Sequence, residues 1–202
     1  MARIGIYCGS FNPVHNGHIA IAKACIEEGY VDRVRIIATG AYWDKNDFYP
    51  IQDRIAMLKL AAKEGIEIDE TYNGLPYTFQ IFEELTKSYP EDEFSLILGG
   101  DNLPRFSDWK EYEYLLQFRF IILPRGDINK EKIDELMKGL HKENYNVLKH
   151  ETIDISSTYI RKHIYDYDLI KDMIDKNVYE YLLRMKEKKD AARDHKETSA
   201  SG

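Results

Sequence analysis

The chain has 202 residues, 44% of them hydrophobic, and a formal net charge of −7. That length and apolar fraction suit one domain with a substantial core. The acidic balance argues against a nucleic acid polymer or an anionic membrane surface as a partner.

In chain order, the first strand is "RIGIYCG" (3–9), an apolar run that stops at glycine. After Asn16 a helical period begins, with Ile19, Ala22, Cys25 and Ile26 on one side until Gly29 closes it. "RVRIIATG" (33–40) is the second strand, followed by "AYWDKNDFYP" (41–50), a loop unusually rich in aromatics. Helical patterns follow over "IQDRIAMLKLAAKEG" (51–65) and "TFQIFEELTKSY" (78–89), then the strand "FSLILGG" (94–100). "WKEYEYLLQ" (109–117) reads as helix, "FRFIILPRG" (118–126) as strand and "KEKIDELMKGL" (130–140) as helix. A weaker strand, "NVLKHE" (146–151), precedes a helical region from Ile160 to about residue 186.

The strands are nearly continuously apolar rather than alternating, as in a parallel sheet buried on both faces. Strands alternating with helices predict an α/β fold, a doubly wound and mostly parallel sheet with a helical C-terminal part. Residues 1–187 are expected to form a single domain. Residues 188–202 lose the apolar period and are expected to be a flexible tail. Cys8 and Cys25 form no CxxC pair, and no apolar run suits a signal peptide or a membrane span. A soluble protein of the reducing cytoplasm is the expectation.

"GSFNPVHNGH" (9–18) carries the chemistry. It joins the end of a strand to the start of a helix, where free N–H groups and the positive dipole end favour an anion. Gly9 permits close approach to a ligand, Pro13 stiffens the loop, and His15 and His18 add imidazole donors. The pair lacks the HExxH pattern and a nearby third ligand, so no metal site is assigned. No Walker loop or GxGxxG fingerprint occurs. A second anchor, "ISSTYIR" (155–161), places Ser156, Ser157 and Thr158 at a helix start with Arg161 one turn on. Those hydroxyls alone are ordinary caps. Paired with the histidine loop they make a polyphosphate clamp.

"GSFNPVHNGHI" resembles the HxGH loop of the adenylyltransferase branch of the nucleotidyltransferases, and "ISSTYIR" the ISSTxIR motif of its pyridine-nucleotide members. "LPYTFQIFEEL", "LILGGDNLPRFSDWKEYEYLL" and "FIILPRG" are similar, in order, to segments of the bacterial nicotinate-nucleotide adenylyltransferases. The resemblance implies a Rossmann-like nucleotidyltransferase fold. It implies an enzyme that moves AMP from ATP to nicotinate mononucleotide, yielding deamido-NAD and pyrophosphate in NAD biosynthesis. By the same resemblance His15, His18 and Arg161 would be catalytic. ATP would be bound by Gly9, Ser10, Phe11, His15, His18, Gly99, Asp101, Ile155, Ser156, Ser157 and Arg161. Lys45, Tyr77, Thr78 and Trp109 would receive the mononucleotide, with Trp109 stacking on the pyridine ring. Mg²⁺ would be held mainly by the ATP phosphates. Relatives are often dimers, so a homodimer is compatible with the resemblance.

Two features depart from the family pattern. "TGAYWDKND" stands where a PPHK-like loop is usual, leaving Lys45 as the candidate replacement for its lysine. Asn12 stands where many bacterial relatives carry aspartate. An enzyme acting on nicotinamide mononucleotide is therefore the alternative, and a non-catalytic nucleotide-binding regulator a second.

Overall fold

A computed structural model describes residues 1–40, 48–149 and 155–200, with the backbone alone for 189 and 191–200. Six strands form one sheet in the order β3-β2-β1-β4-β5-β6, every pairing parallel. They are β1 (Arg3–Gly9), β2 (Arg33–Ala38), β3 (Ile66–Asp69), β4 (Glu93–Gly99), β5 (Arg119–Leu123) and β6 (Tyr145–Val147). Every expected strand is present, and β6 is only three residues long. β3 was not anticipated. Its "IEID" alternates, because an edge strand with a polar side chain at every second position never needs the continuous apolar run of a central one.

Helices cover both faces. α1 (Asn16–Glu27) and α2 (Ile51–Ala61) lie on one face with the C-terminal helices α6 (Ser157–Lys162), α7 (Tyr167–Ile170) and α8 (Lys176–Ala200). α3 (Thr78–Ser88), α4 (Tyr112–Leu115) and α5 (Lys130–Gly139) lie on the other, with a 3₁₀ segment over Gly100–Asp108. The sheet separates two cores. Val34, Ile36 and Ile97 point into the first, and Ile4, Ile6, Leu96 and Phe120 into the second. That strict division follows from the two-residue side-chain period of a strand.

The helix expected over 109–117 shrinks to the four residues of α4. Glu111 before it sits in the left-handed region (φ 52), and the preceding chain is a 3₁₀ segment that contains Pro104 and is kinked at Arg105. The C-terminal helical region divides into three helices. α8 docks on α2 through buried Val178 and Leu182 and through the Tyr181 hydroxyl, which donates to Asp53 at 2.8 Å. It then continues to Ala200, aided by a Lys186–Asp190 pair one turn apart. Among the described residues no helix is long and apolar enough to cross a membrane.

The strand order reverses direction between β1 and β4. Connections from β1 run toward β3 on one face and those from β4 run toward β6 on the other, so a crevice opens where they part.

Candidate active site

β1 ends at that crevice, and the chain turns through Ser10–Val14 into α1, whose N-cap is His15. His18 is the third residue of α1, so its ring reaches back over the cap. The His15 backbone N–H donates to His18 Nδ1 at 3.2 Å. The two imidazoles stack, with centroids 3.6 Å apart and planes 20° from parallel. Phe11 meets His18 edge-on at 4.9 Å, and Tyr7 lies edge-on to Phe11. Gly9 is needed for this packing, since a Cβ there would come within 3.1 Å of the Phe11 ring.

Burial pushes the His15 pKa down to about 4, with the positive charge of Arg125 adding to the effect. His18 is held well below its ordinary value, first by burial and then by His15 and Arg125. Both rings are therefore neutral at pH 7. Because Nδ1 of His18 accepts a hydrogen bond, its one proton belongs on Nε2, leaving an N–H donor available. The pair supplies directional donors, and the local positive charge comes from arginines.

The second anchor meets this loop directly. Ser157 Oγ donates to the Pro13 carbonyl at 2.9 Å, and Arg161 Nη1 to the Asn12 carbonyl at 2.6 Å. Arg161 Nη2 also reaches Thr158 Oγ1 at 3.3 Å. Ser156 caps α6 by accepting the Tyr159 N–H at 3.4 Å, which leaves its own hydroxyl proton free to donate outward. The start of α1 is tied to the C-terminal part as well, through Asn16 N–H on the Met173 carbonyl at 2.8 Å. Ile155 behaves differently from its neighbours, its side chain being buried in the first core.

From the other side of the crevice come Gly99 and Asp101, at the end of β4. The Asp101 carboxylate folds back over Gly99, where a Cβ would force it to move. It faces Arg125 Nη1 at 3.9 Å. Arg125 sits in a tight turn after β5, fixed by reciprocal backbone hydrogen bonds with Ile128 and by Gly126 at φ 58. Sequence reasoning missed Arg125 as a site residue. The clue was a basic residue in a turn at the carboxyl end of a strand next to β4, legible only once strand order is known.

The residues expected on the acceptor side belong to the opposite layer. Trp109 ends the 3₁₀ segment and packs against Phe106, ring centroids 5.1 Å apart, over the second core. Tyr77 is the N-cap of α3, is 45% exposed and stacks on Phe79 at 6.0 Å; Thr78 opens the helix. Lys45 lies outside the described residues. Thus the described structure gathers the two histidines and the Ser157–Arg161 clamp at one loop, with Asp101 and Arg125 across the crevice. Trp109, Tyr77 and Thr78 lie instead on elements of the opposite face, around the second core.

The cytidylyltransferase-like family model matches residues 6–163. A Carboxydothermus hydrogenoformans protein named as a probable nicotinate-nucleotide adenylyltransferase is 33% identical over 192 residues, covering 90% of this chain and 96% of its own. One from Flavobacterium johnsoniae, with the same name, is 32% identical over 188 residues, covering 89% and 95%. Among solved structures, the Plasmodium falciparum nicotinic acid mononucleotide adenylyltransferase complexed with NaAD superposes with a TM-score of 0.77. It is 21% identical and covers 92% of this chain and 96% of that one, a likeness of fold. With a model match across most of its length and relatives aligned nearly end to end, the chain belongs to the cytidylyltransferase-like family and, within it, to the nicotinate-nucleotide adenylyltransferases.

Proposed function

We propose that this chain transfers the AMP of ATP to nicotinate mononucleotide, forming deamido-NAD and releasing pyrophosphate. An oxygen of the mononucleotide phosphate attacks the α-phosphorus, a new P–O bond forms, and the bond to the β-phosphate oxygen breaks. No enzyme nucleophile is needed, so catalysis is alignment plus stabilisation of phosphate charge.

One observation carries the reading: Ser157 and Arg161 are bonded to the very loop that delivers His15 and His18. A triphosphate lying across this junction would have its α-phosphate at the N–H donor of His18 and its tail at Ser156, Ser157 and Arg161. Loop N–H groups at Ser10 and Phe11 add donors to the same site. Arg125 places a further positive charge beside the histidines, and Asp101 offers a carboxylate to the ribose hydroxyls. Trp109, Tyr77, Thr78 and Lys45 are proposed for the mononucleotide.

Mg²⁺ is part of this proposal as an ion carried by the phosphates, whose charge it would neutralise when bound. The donor set suits that arrangement. Imidazole and guanidinium groups dominate, the Asp101 carboxylate faces Arg125, and among the described residues no cluster of three His, Cys, Asp or Glu side chains could hold a metal. A cytoplasmic setting is also proposed, supported by two free thiols, Cys8 and Cys25.

The test is pyrophosphate release by the purified chain with ATP, Mg²⁺ and either nicotinate or nicotinamide mononucleotide. Product with nicotinate mononucleotide at the higher kcat/KM is expected. Preference for nicotinamide mononucleotide would change the acceptor, and ATP binding without any product would make the chain a regulator.

A further inference from the structure

Arg54, in the first turn of α2, is a buried arginine with 3% of its surface exposed. Its hydrogen-bond partners are carbonyl oxygens. Nη1 donates to Ser10 at 2.6 Å and to Thr39 at 2.8 Å, and Nε donates to Tyr49 at 3.1 Å. The Phe48 ring lies 5.8 Å from its guanidinium carbon. Burying a cation without a carboxylate partner costs desolvation free energy that only its hydrogen bonds offset.

Thr39 follows β2, Ser10 follows β1, and Tyr49 leads into α2. Tyr49 is held a second time, its N–H donating to Asn12 Oδ1 at 2.9 Å. Arg54 therefore ties three chain segments into one unit, of which Ser10–Val14 is the loop below the histidines.

Its effect on Ser10 goes beyond tethering. A trans peptide points its C=O and N–H in opposite directions. The Gly9 carbonyl accepts from Thr39 N–H at 2.9 Å, so it faces β2. Arg54, which also holds the Thr39 carbonyl, draws the Ser10 carbonyl to that same side. The N–H groups of Ser10 and Phe11 are left facing away from β2, toward the β1–β4 crevice. Two successive N–H groups on one side form a concavity for an anion. The residue that follows the Ser10 carbonyl, Phe11, itself sits in the left-handed region (φ 44), an unfavourable state for a phenylalanine.

We propose that Arg54 is a positioning residue that sets the polarity of the phosphate-binding loop, pinning the Ser10 carbonyl so that the Phe11 N–H faces the nucleotide. The proposal rests on the AMP-transfer reading for its kinetic consequences.

The experiment compares wild type with Arg54→Met and Arg54→Lys. Met keeps the stem and removes the donors, while the Lys ammonium can still hold the two carbonyls shared by Nη1. For Arg54→Met, kcat/KM for ATP should fall about a hundredfold, the scale of a catalytic donor misplaced by an ångström. The KM for the mononucleotide should stay within about threefold of wild type. Arg54→Lys should recover at least about tenfold of the loss. Unchanged kcat/KM for ATP in folded Arg54→Met, a mononucleotide KM raised by more than about threefold, or no difference between Lys and Met would each overturn the proposal. If Arg54→Met does not fold, Arg54→Lys against wild type carries the test. It should lose about tenfold in kcat/KM for ATP with the mononucleotide KM within about threefold of wild type, and wild-type kinetics or a larger rise in that KM would refute it. Calorimetric titration with a non-hydrolysable ATP analogue, without acceptor, separates the two readings. If wild type makes no product, AMP transfer fails, yet Arg54 variants should still bind the analogue at least about tenfold more weakly; equal binding would sink the role of Arg54.

Discussion

Arg161 donates to the main-chain carbonyl of Asn12 at 2.6 Å, across 149 positions of sequence. The bond is charge-assisted and joins the last anchor of the chain to the first. Together with Ser157 on Pro13, it ties the histidine loop directly to the serine-rich turn. Substitutions in either segment should therefore be felt in the other.

Ser157→Ala removes the donor to Pro13 and leaves that carbonyl without its partner. Stability should fall by about 1 kcal/mol, the usual worth of such a bond. Turnover should fall by about tenfold or more as the loop loosens. Thermal unfolding and steady-state kinetics on one preparation read both. A stability loss with kcat unchanged would make this contact purely structural.

His18→Ala should cut kcat by at least about a hundredfold, the effect of losing one transition-state donor. Because the His15 N–H also loses its partner Nδ1, His18→Asn is the better control for folding. Wild-type turnover in His18→Ala would remove the residue from the mechanism.

His15 links stability to pH. Its folded value, about 4, lies below the ordinary 6.5, so the unfolded chain takes up the proton first as pH falls. The contribution of the neutral ring is complete above 6.5 and is lost progressively from 6.5 to about 4. The total is about 3 kcal/mol. Denaturant titrations at several pH values should show this decline, and His15→Asn should flatten it by about one proton. An identical slope in the variant would mean that other groups control the acid limb.

Arg125→Gln removes the cation that adds to burial in depressing both histidines. The pKa values of His15 and His18 should rise, observable by NMR titration of the ring protons. KM for ATP should rise with them if the guanidinium meets phosphate, by about tenfold. Unmoved imidazole titrations would show that Arg125 points elsewhere in solution.

Trp109→Ala should raise the KM for the mononucleotide through lost stacking. Some stability should go too, because the indole packs on Phe106. If only ATP affinity changed, the assignment of the acceptor side would be wrong.

Much of this was legible in the sequence, for identifiable reasons. The central strands are buried on both faces, so "FSLILGG" and "FRFIILPRG" declare themselves as nearly continuous apolar runs. "IEID" does not, because an edge position lets every second residue stay polar. Gly9, His15 and His18 stood out because they coincide with a strand–loop–helix junction. Ser156 and Ser157 look alike in sequence, yet one caps its own helix and the other reaches Pro13. Nothing in the spacing of "ISSTYIR" separates them.

By itself the sequence determined the local elements, the alternation of strand and helix, and the polar residues placed at strand ends. Those depend on side-chain period and turn chemistry, which act over a few residues. Only the tertiary structure decided which strand ends adjoin. That brought Arg125 opposite the histidines, set Arg54 beneath Ser10 and joined Arg161 to Asn12. Such contacts are made across the sheet order and depend on where each helix docks, so no run of neighbouring residues encodes them.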